Sequence, residues 1–312
     1  MNKHKDLFSK VKVRRFPEKN YNAIWHDLKT LRLGKGVAKE LEPDRSEFYD
    51  VSLGTKCNCE CDFCYTSALK NGVDYEGICE TWKKWMATFP KDIVLDNGII
   101  KTEKPFQIAC GSQGEPTINP QFCEFLQTVY ETGVVPNYTT NGLTLCNMAN
   151  PLTQKIIDYS NNFVGGVAVS FGNKKIREYA EEAVNNLLDQ CDVKVNIHHI
   201  ISDKNSVDEF LKIQEKYGKD IYYHVLLPLM PSGRSKKGLE DGVWEYLESK
   251  LLDNKYDNVS FGAHFIDKLE VSKIKTWLYP AESLSKNIIL EKDKVIITPS
   301  SFNLNPIKII NL

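Results

Sequence analysis

From Glu47 to Leu229 short apolar runs alternate with amphipathic stretches, and this rhythm limits the fold more than any other feature of the chain. The runs EFYDVSLG, PFQIACG, VVPNYTTNG, VGGVAVSFG, VKVNIHHII and DIYYHVLLPL are bounded by Gly, Pro or Asn. Segments between them, such as CETWKKWMATF, NPQFCEFLQTVYETG and SVDEFLKIQEKYG, have the apolar spacing of helices. A parallel strand pair needs a long crossover, usually a helix, so this alternation predicts six βα units and a parallel sheet. The units share no sequence repeat, which excludes a solenoid. In barrels and open parallel sheets alike, the reactive site lies at the C-terminal ends of the strands. Polar motifs at those ends are therefore expected to converge although the chain separates them. After Gly238 the rhythm changes: VWEYLESKLL reads as a helix, NVSFGAHF as a short strand or loop, and NIILEKDKVIIT as a hairpin around Lys292-Asp293.

Composition excludes several classes. With 312 residues, 42% of them apolar, the chain can bury a full core. Its 40 basic and 41 acidic residues balance, which argues against a general nucleic-acid binder. No apolar run approaches a membrane span, and MNKHKDLFSKVKVRRF has no apolar core of a secretory signal, so a cytoplasmic location without membrane attachment is expected. Residues 1–39 hold eleven Lys/Arg and three acids. They read as a solvated, partly ordered extension, with a docking surface for an acidic partner as the alternative.

Four of the nine cysteines fall within GTKCNCECDFCYT, at 57, 59, 61 and 64. Clustered thiols in a reducing compartment are more often metal ligands than disulfides. Cys57, Cys61 and Cys64 have the spacing C-x3-C-x2-C, and three thiolates on one loop can hold three irons of a [4Fe–4S] cube, leaving the fourth iron open. The rival reading is a zinc site with Cys59 as fourth ligand. Alternating C-x-C spacing strains a single tetrahedron, so Cys59 is expected to be a bystander pointing away. Cys79, Cys110, Cys123, Cys146 and Cys191 read as small buried apolar residues.

The loop resembles the signature of the radical S-adenosylmethionine (SAM) superfamily, C-x3-C-x-φ-C, with Phe63 as the aromatic residue and Tyr65 after the last ligand. GSQGEPTINP resembles the family's Gly-Gly-Glu-Pro motif, with Gln113 in place of the first glycine. NYTTNG and GVAVSFG resemble the ends of its third and fourth strands, in the style of the molybdenum-cofactor cyclase and peptide-maturase branch. The likeness covers roughly residues 47–229. It implies an α/β fold, a partial (β/α)6 TIM-like barrel over 47–238, with a basic N-terminal extension at 1–46 and a small α+β tail at 239–312 closing the barrel. No C-terminal cysteine array is present, so no auxiliary cluster is expected.

The resemblance also implies chemistry. A [4Fe–4S] cluster on Cys57, Cys61 and Cys64 would reductively cleave SAM to a 5′-deoxyadenosyl radical, which abstracts hydrogen from a substrate. An electron donor such as flavodoxin or ferredoxin is implied. The substrate is a small molecule, a nucleotide or a peptide, and a maturase or activase acting on a protein partner is the alternative within enzymes. Phe63, Gly114, Glu115, Pro116, Thr140, Asn141, Ser170, Asn196 and His198 are the candidate SAM contacts. Glu115 suits the SAM ammonium, and Thr140, Asn141 and Ser170 suit its ribose or carboxylate. In VKVNIHHII, Lys194, Asn196 and His198 share one face, and a helix-covered strand should turn that polar face inward. Leu227 and Pro228 could flank the adenine. Arg234, Lys236 and Lys237 read as a solvated basic loop, and Tyr279, Glu282 and Ser283 as part of the closing tail.

Overall fold

The computed structural model describes residues 6–16, 21–33, 45–253, 256–274, 285–299 and 304–312. Tyr279, Glu282 and Ser283 lie outside them. In chain order the elements are α1 (Asp6–Ser9), β1 (Lys12–Phe16), β2 (Tyr21–His26), β3 (Lys29–Leu33), β4 (Phe48–Ser52), α2 (Ile78–Ala87), β5 (Ile93–Val94), β6 (Ile100–Lys101) and β7 (Gln107–Cys110). Then come α3 (Phe122–Glu131), β8 (Val135–Thr140), α4 (Pro151–Phe163), β9 (Gly166–Ser170), α5 (Arg177–Gln190), β10 (Lys194–Ile201), α6 (Lys204–Tyr217) and β11 (Tyr223–Pro228). The chain ends with α7 (Val243–Asp253), β12 (Val259–Phe261), α8 (Ile266–Val271), β13 (Ser285–Glu291), β14 (Lys294–Thr298) and β15 (Lys308–Asn311).

Ten strands form the main sheet in the order β12-β11-β10-β9-β8-β7-β4-β13-β14-β15. The six strands expected from the apolar runs are β4, β7, β8, β9, β10 and β11, each parallel to the next. The fold is thus mixed α/β with a parallel sheet. NVSFGAHF supplies β12, a further parallel strand. The expected hairpin is β13–β14, with Lys292-Asp293 at its turn and Asp293 at φ 59°. It joins the main sheet, because β13 runs parallel to β4 on the side away from β7.

Alternation decides what each strand face meets. Along β10 the buried residues Val195, Ile197, His199 and Ile201 alternate with half-buried Lys194, Asn196, His198 and Ile200. The buried set joins the helix-side core. There Tyr49, Val51, Tyr138 and Val167 of the strands pack with Trp82 and Trp85 of α2 and Phe122 and Phe125 of α3. A second cluster, with Phe210, Trp244 and Phe261, lies under α6 and α7. Helix α6 begins slightly earlier than expected: Asp203 is its N-cap, and Ser206 returns the bond in a capping box.

The basic extension is not simply solvated. Strands β1 to β3 form a second sheet with β6 and β5, in the order β3-β2-β1-β6-β5. Lys12 and Arg14 are each 1% exposed. They stand two residues apart and therefore share one face of β1, which turns inward. Arg14 donates to the carbonyls of Thr102, Arg45, Glu103 and Lys104. The Lys12 ammonium donates to Phe106 O at 3.0 Å and Gly133 O at 2.8 Å, and burial lowers its pKa to about 7.

The β2–β3 turn, Asp27-Leu28, has both residues at positive φ, 52° and 64°, the twist that suits a two-residue hairpin. Its tip meets the first residues of the parallel strands. Trp25 donates to Gln107 at 3.2 Å, Lys194 pairs with Asp27, and the Tyr222 hydroxyl donates to Asp27 O at 3.4 Å. Gly165 leaves room for it: a Cβ there would stand 2.7 Å from Leu28. The N-terminal segment so covers the end of the sheet opposite the polar motifs.

Candidate active site

The cysteine loop leaves the C-terminal end of β4. Its neck is closed by bridges between Gly54 and Asp74 and between Lys56 and Leu69, and Cys57 N donates to Leu69 O at 3.0 Å. Inside it, Cys64 N donates to Cys61 O at 3.2 Å. Burial pushes the Cys57 thiol up to about 11 and the Cys61 thiol up to about 12, so both are protonated near neutral pH. Cys64 lies 3.4 Å from the Thr66 hydroxyl.

Cys59 does not point away. It is 8% exposed, and its sulfur lies 3.4 Å from that of Cys61. The reason is Asn173, just beyond β9, whose Nδ2 donates to Cys59 Sγ at 3.0 Å and Cys61 Sγ at 3.2 Å. Asn141 Nδ2, at the end of β8, reaches Cys57 Sγ at 4.0 Å and donates to Asn58 Oδ1 at 2.8 Å.

The GSQGEPT segment follows β7 and packs under the loop neck. Gly114 has φ 65°, and a Cβ there would collide with Lys56 O and lie 2.9 Å from Gly54 O. Only glycine fits both constraints. Glu115 N donates to Lys56 O at 2.8 Å. The Glu115 side chain is 5% exposed and accepts four hydrogen bonds. Three fall on Oε1, from Thr117 N (3.2 Å), Thr117 Oγ1 (2.6 Å) and Thr140 Oγ1 (2.8 Å). The fourth joins Asn141 N to Oε2 at 2.8 Å. Burial raises the Glu115 pKa, and the four donors oppose that rise. Glu115 thus ties the loop neck to the end of β8. Pro116 opens the short 3-10 turn that follows. Gln113 is 6% exposed, and its Nε2 has no partner.

The remaining sequence candidates fall in two groups. Thr140 is 1% exposed and faces Glu115, behind the cysteine loop. Ser170 and His198 are register partners on β9 and β10, on the half-buried face, with Asn196 two residues before His198. Burial lowers His198 to about 4, so it is neutral near neutral pH. The buried Oδ1 of Asn196 has no partner. Phe63 lines a small cavity of about 90 Å³ with Phe171, Gly172, Ile200 and Leu229, at the strand ends. His199 and His224, which stand on the helix side, bond to each other at 3.0 Å.

Sequence reasoning missed two residues. One is Asn173. The other is Arg234, expected to be solvated and found half-buried against the cysteine loop. Its Nε donates to Cys61 O at 2.8 Å, its Nη1 to Ala68 O at 2.8 Å, and its backbone N to Cys64 O at 3.0 Å. Lys236 and Lys237 are exposed as expected. Gly233 lets this strap approach, since a Cβ there would collide with Cys64 O and Tyr65 O.

Three thiols, Cys57, Cys61 and Cys64, sit on one loop with amide N–H groups directed at Cys57 and Cys61. Sulfur donors so hydrogen-bonded suit an iron–sulfur cluster. Among the described residues no three Cys, His, Asp or Glu side chains are gathered in metal-binding geometry. The thiols there bond to Asn173, Thr66 and one another.

Solved structures share this fold. SuiB of Streptococcus suis bound to S-adenosylmethionine matches with a TM-score of 0.56 at 13% identity, covering 82% of this chain and 60% of that one. SuiB bound to its precursor peptide SuiA matches with a TM-score of 0.56 at 14% identity, covering 83% and 60%. The enzyme anSMEcpe with bound AdoMet matches with a TM-score of 0.53 at 16% identity, covering 83% and 74%. The chain spans about 60% of the length of SuiB. No family model and no curated protein matches the sequence. The chain therefore has the fold of these SAM-bound structures, the fold that its resemblance to the radical SAM superfamily implies.

Proposed function

We propose that the chain is a radical SAM enzyme whose core, residues 47–238, is a partial (β/α)6 barrel. The observation that carries this reading is convergence. The thiol loop from β4 is held by groups from the ends of β7, β8, β9 and β11, at one end of a parallel sheet whose fold is found in SAM-bound structures. Cys57, Cys61 and Cys64 would hold a [4Fe–4S] cluster. The chemistry it supplies when bound is reductive cleavage of SAM to a 5′-deoxyadenosyl radical that abstracts hydrogen from the substrate.

The chain's own residues bind and orient. Glu115, Thr140 and Gly114 brace the loop from behind. Asn141, Ser170, Asn196 and His198 stand where short polar groups can meet the ribose and the methionine end of SAM, with Phe63 beside them. A neutral His198 can donate or accept one hydrogen bond without placing a charge beside a sulfonium. The substrate proposed is a peptide, supported by two folds of this kind solved with peptides, SuiB with SuiA and anSMEcpe with the Cp18Cys peptide. Flavodoxin or ferredoxin would supply the electron.

The test is anaerobic reconstitution with iron and sulfide, then reduction with SAM and assay for 5′-deoxyadenosine. Iron and sulfide with visible charge-transfer absorbance, lost in Cys57→Ser, Cys61→Ser and Cys64→Ser but kept in Cys59→Ser, is the expected result. Zinc without iron, or dependence on Cys59 equal to that on Cys61, would overturn the reading in favour of a zinc module.

A further inference from the structure

Two amide groups reach the thiol loop from strand ends, and they differ in what they touch. Asn141 Nδ2 is already satisfied by Asn58 and stands 4.0 Å from Cys57 Sγ. Asn173 Nδ2 has only sulfur partners, Cys59 Sγ at 3.0 Å and Cys61 Sγ at 3.2 Å. Its orientation is set from the other side of the amide, because Oδ1 accepts from Lys175 N at 3.0 Å. That bond also makes Asn173 the N-cap of the 3-10 turn 174–176, so the backbone holds the side chain in place. Gly172, just before it, approaches Phe63 closely: a Cβ there would lie 2.9 Å from the ring. The amide is therefore anchored, part of its donor capacity is aimed at Cys61, and the loop it meets is packed against the same turn.

A sulfur that ligates iron carries more negative charge when the cluster is reduced. A fixed N–H donor at that sulfur favours the reduced form and raises the potential. We propose that Asn173 is a positioning and tuning residue that sets the reduction potential of the cluster through Cys61. This rests on the radical SAM reading above. Arg234 holds the carbonyl of the same cysteine at 2.8 Å, so Cys61 is gripped at both its backbone and its sulfur.

The experiment is a redox titration of the reconstituted protein followed by electron paramagnetic resonance, with iron and sulfide measured on each sample. Asn173→Ala removes the donor, and Asn173→Asp replaces it with a negatively charged acceptor of the same shape. Both are expected to lower the midpoint potential, Asp more than Ala. The reduced-to-oxidised ratio at a fixed potential should fall about tenfold, which is about 59 mV for a one-electron couple. Potentials equal to that of the wild type, at equal iron content, would overturn the proposal. If Asn173→Ala takes up little iron, Asn173→Gln decides, because it keeps the N–H donor. Rescue by Gln but not Asp supports the donor role, and equal loss in all three overturns it. A wild-type protein with no iron–sulfide signal would instead sink the function proposed above.

Discussion

Replacing Glu115 with Gln asks how much the buried carboxylate holds together. Its four donors are two backbone N–H groups, of Thr117 and Asn141, and two hydroxyls, of Thr117 and Thr140. A glutamine can keep its oxygen toward Thr117 and Thr140, where three of the donors lie. Its NH2 group then faces Asn141 N, donor against donor. The hydroxyls can rotate, but a backbone N–H cannot, so one buried donor is left unmet at a cost of about 1–3 kcal/mol. The three remaining bonds weaken from charge-assisted to neutral, while relief of the buried charge offsets part of that loss. The net expectation is a destabilisation of about 2–3 kcal/mol. Denaturant unfolding of the metal-free protein measures it, and faster amide exchange at Asn141 localises it. The sign with pH is also fixed. Because burial raises the folded-state pKa of Glu115, its stabilisation is full below the ordinary glutamate value and falls as pH rises through the raised one. Gln does not titrate, so the gap between wild type and variant narrows as pH increases. A variant within about 0.5 kcal/mol of wild type, or a gap that widens with pH, would refute the brace.

Other expectations follow from the same geometry. Gly114→Ala forces a side chain into left-handed backbone against Lys56 O, and a loss of about 2–4 kcal/mol with poor iron uptake is expected. Lys12 titrates near 7 in the fold and near 10.5 when exposed, so the unfolded chain binds more protons between those values. Stability should therefore rise with pH across that window, by at most about 1.4 kcal/mol per unit, and Lys12→Met should flatten the slope. Arg234→Met strips the carbonyls of Cys61 and Ala68 of their donors, and faster proteolysis of the 57–68 loop at unchanged global stability is the measurable result. Trp25→Ala empties a fully buried indole site and should cost about 3–5 kcal/mol in denaturant unfolding.

The parallel core was legible because its signal is local. Each strand is a short apolar block with its own boundary residues, and the inward face of β10 could be read from alternation alone. The N-terminal segment was misread for a physical reason: counting charge treats every lysine alike, whereas position two residues apart on β1 put Lys12 and Arg14 on the buried face. Carbonyls contributed by residues 45 and 102–104 then satisfied Arg14, and no local pattern announces them. Asn173 and Arg234 were missed for the same reason at longer range. Their contacts with Cys61 span 112 and 173 residues, and in sequence one is a turn asparagine and the other a charge beside exposed lysines. The motifs GEPT and TTNG were visible as strand-end turns. That Glu115 and Thr140 bond to each other required the fold.

The hairpin of Trp25, Asp27 and Leu28 has a consequence for how the molecule is made. Its partners Gln107, Lys194 and Tyr222 lie 82, 167 and 195 residues further along the chain. On a ribosome adding about 5–20 residues per second, the last of them emerges roughly 10 to 40 s after the hairpin does. An indole and a leucine must wait through that interval without their final contacts. The first segment synthesised is thus among the last to be seated, and a nascent chain halted before residue 222 would display it to chaperones.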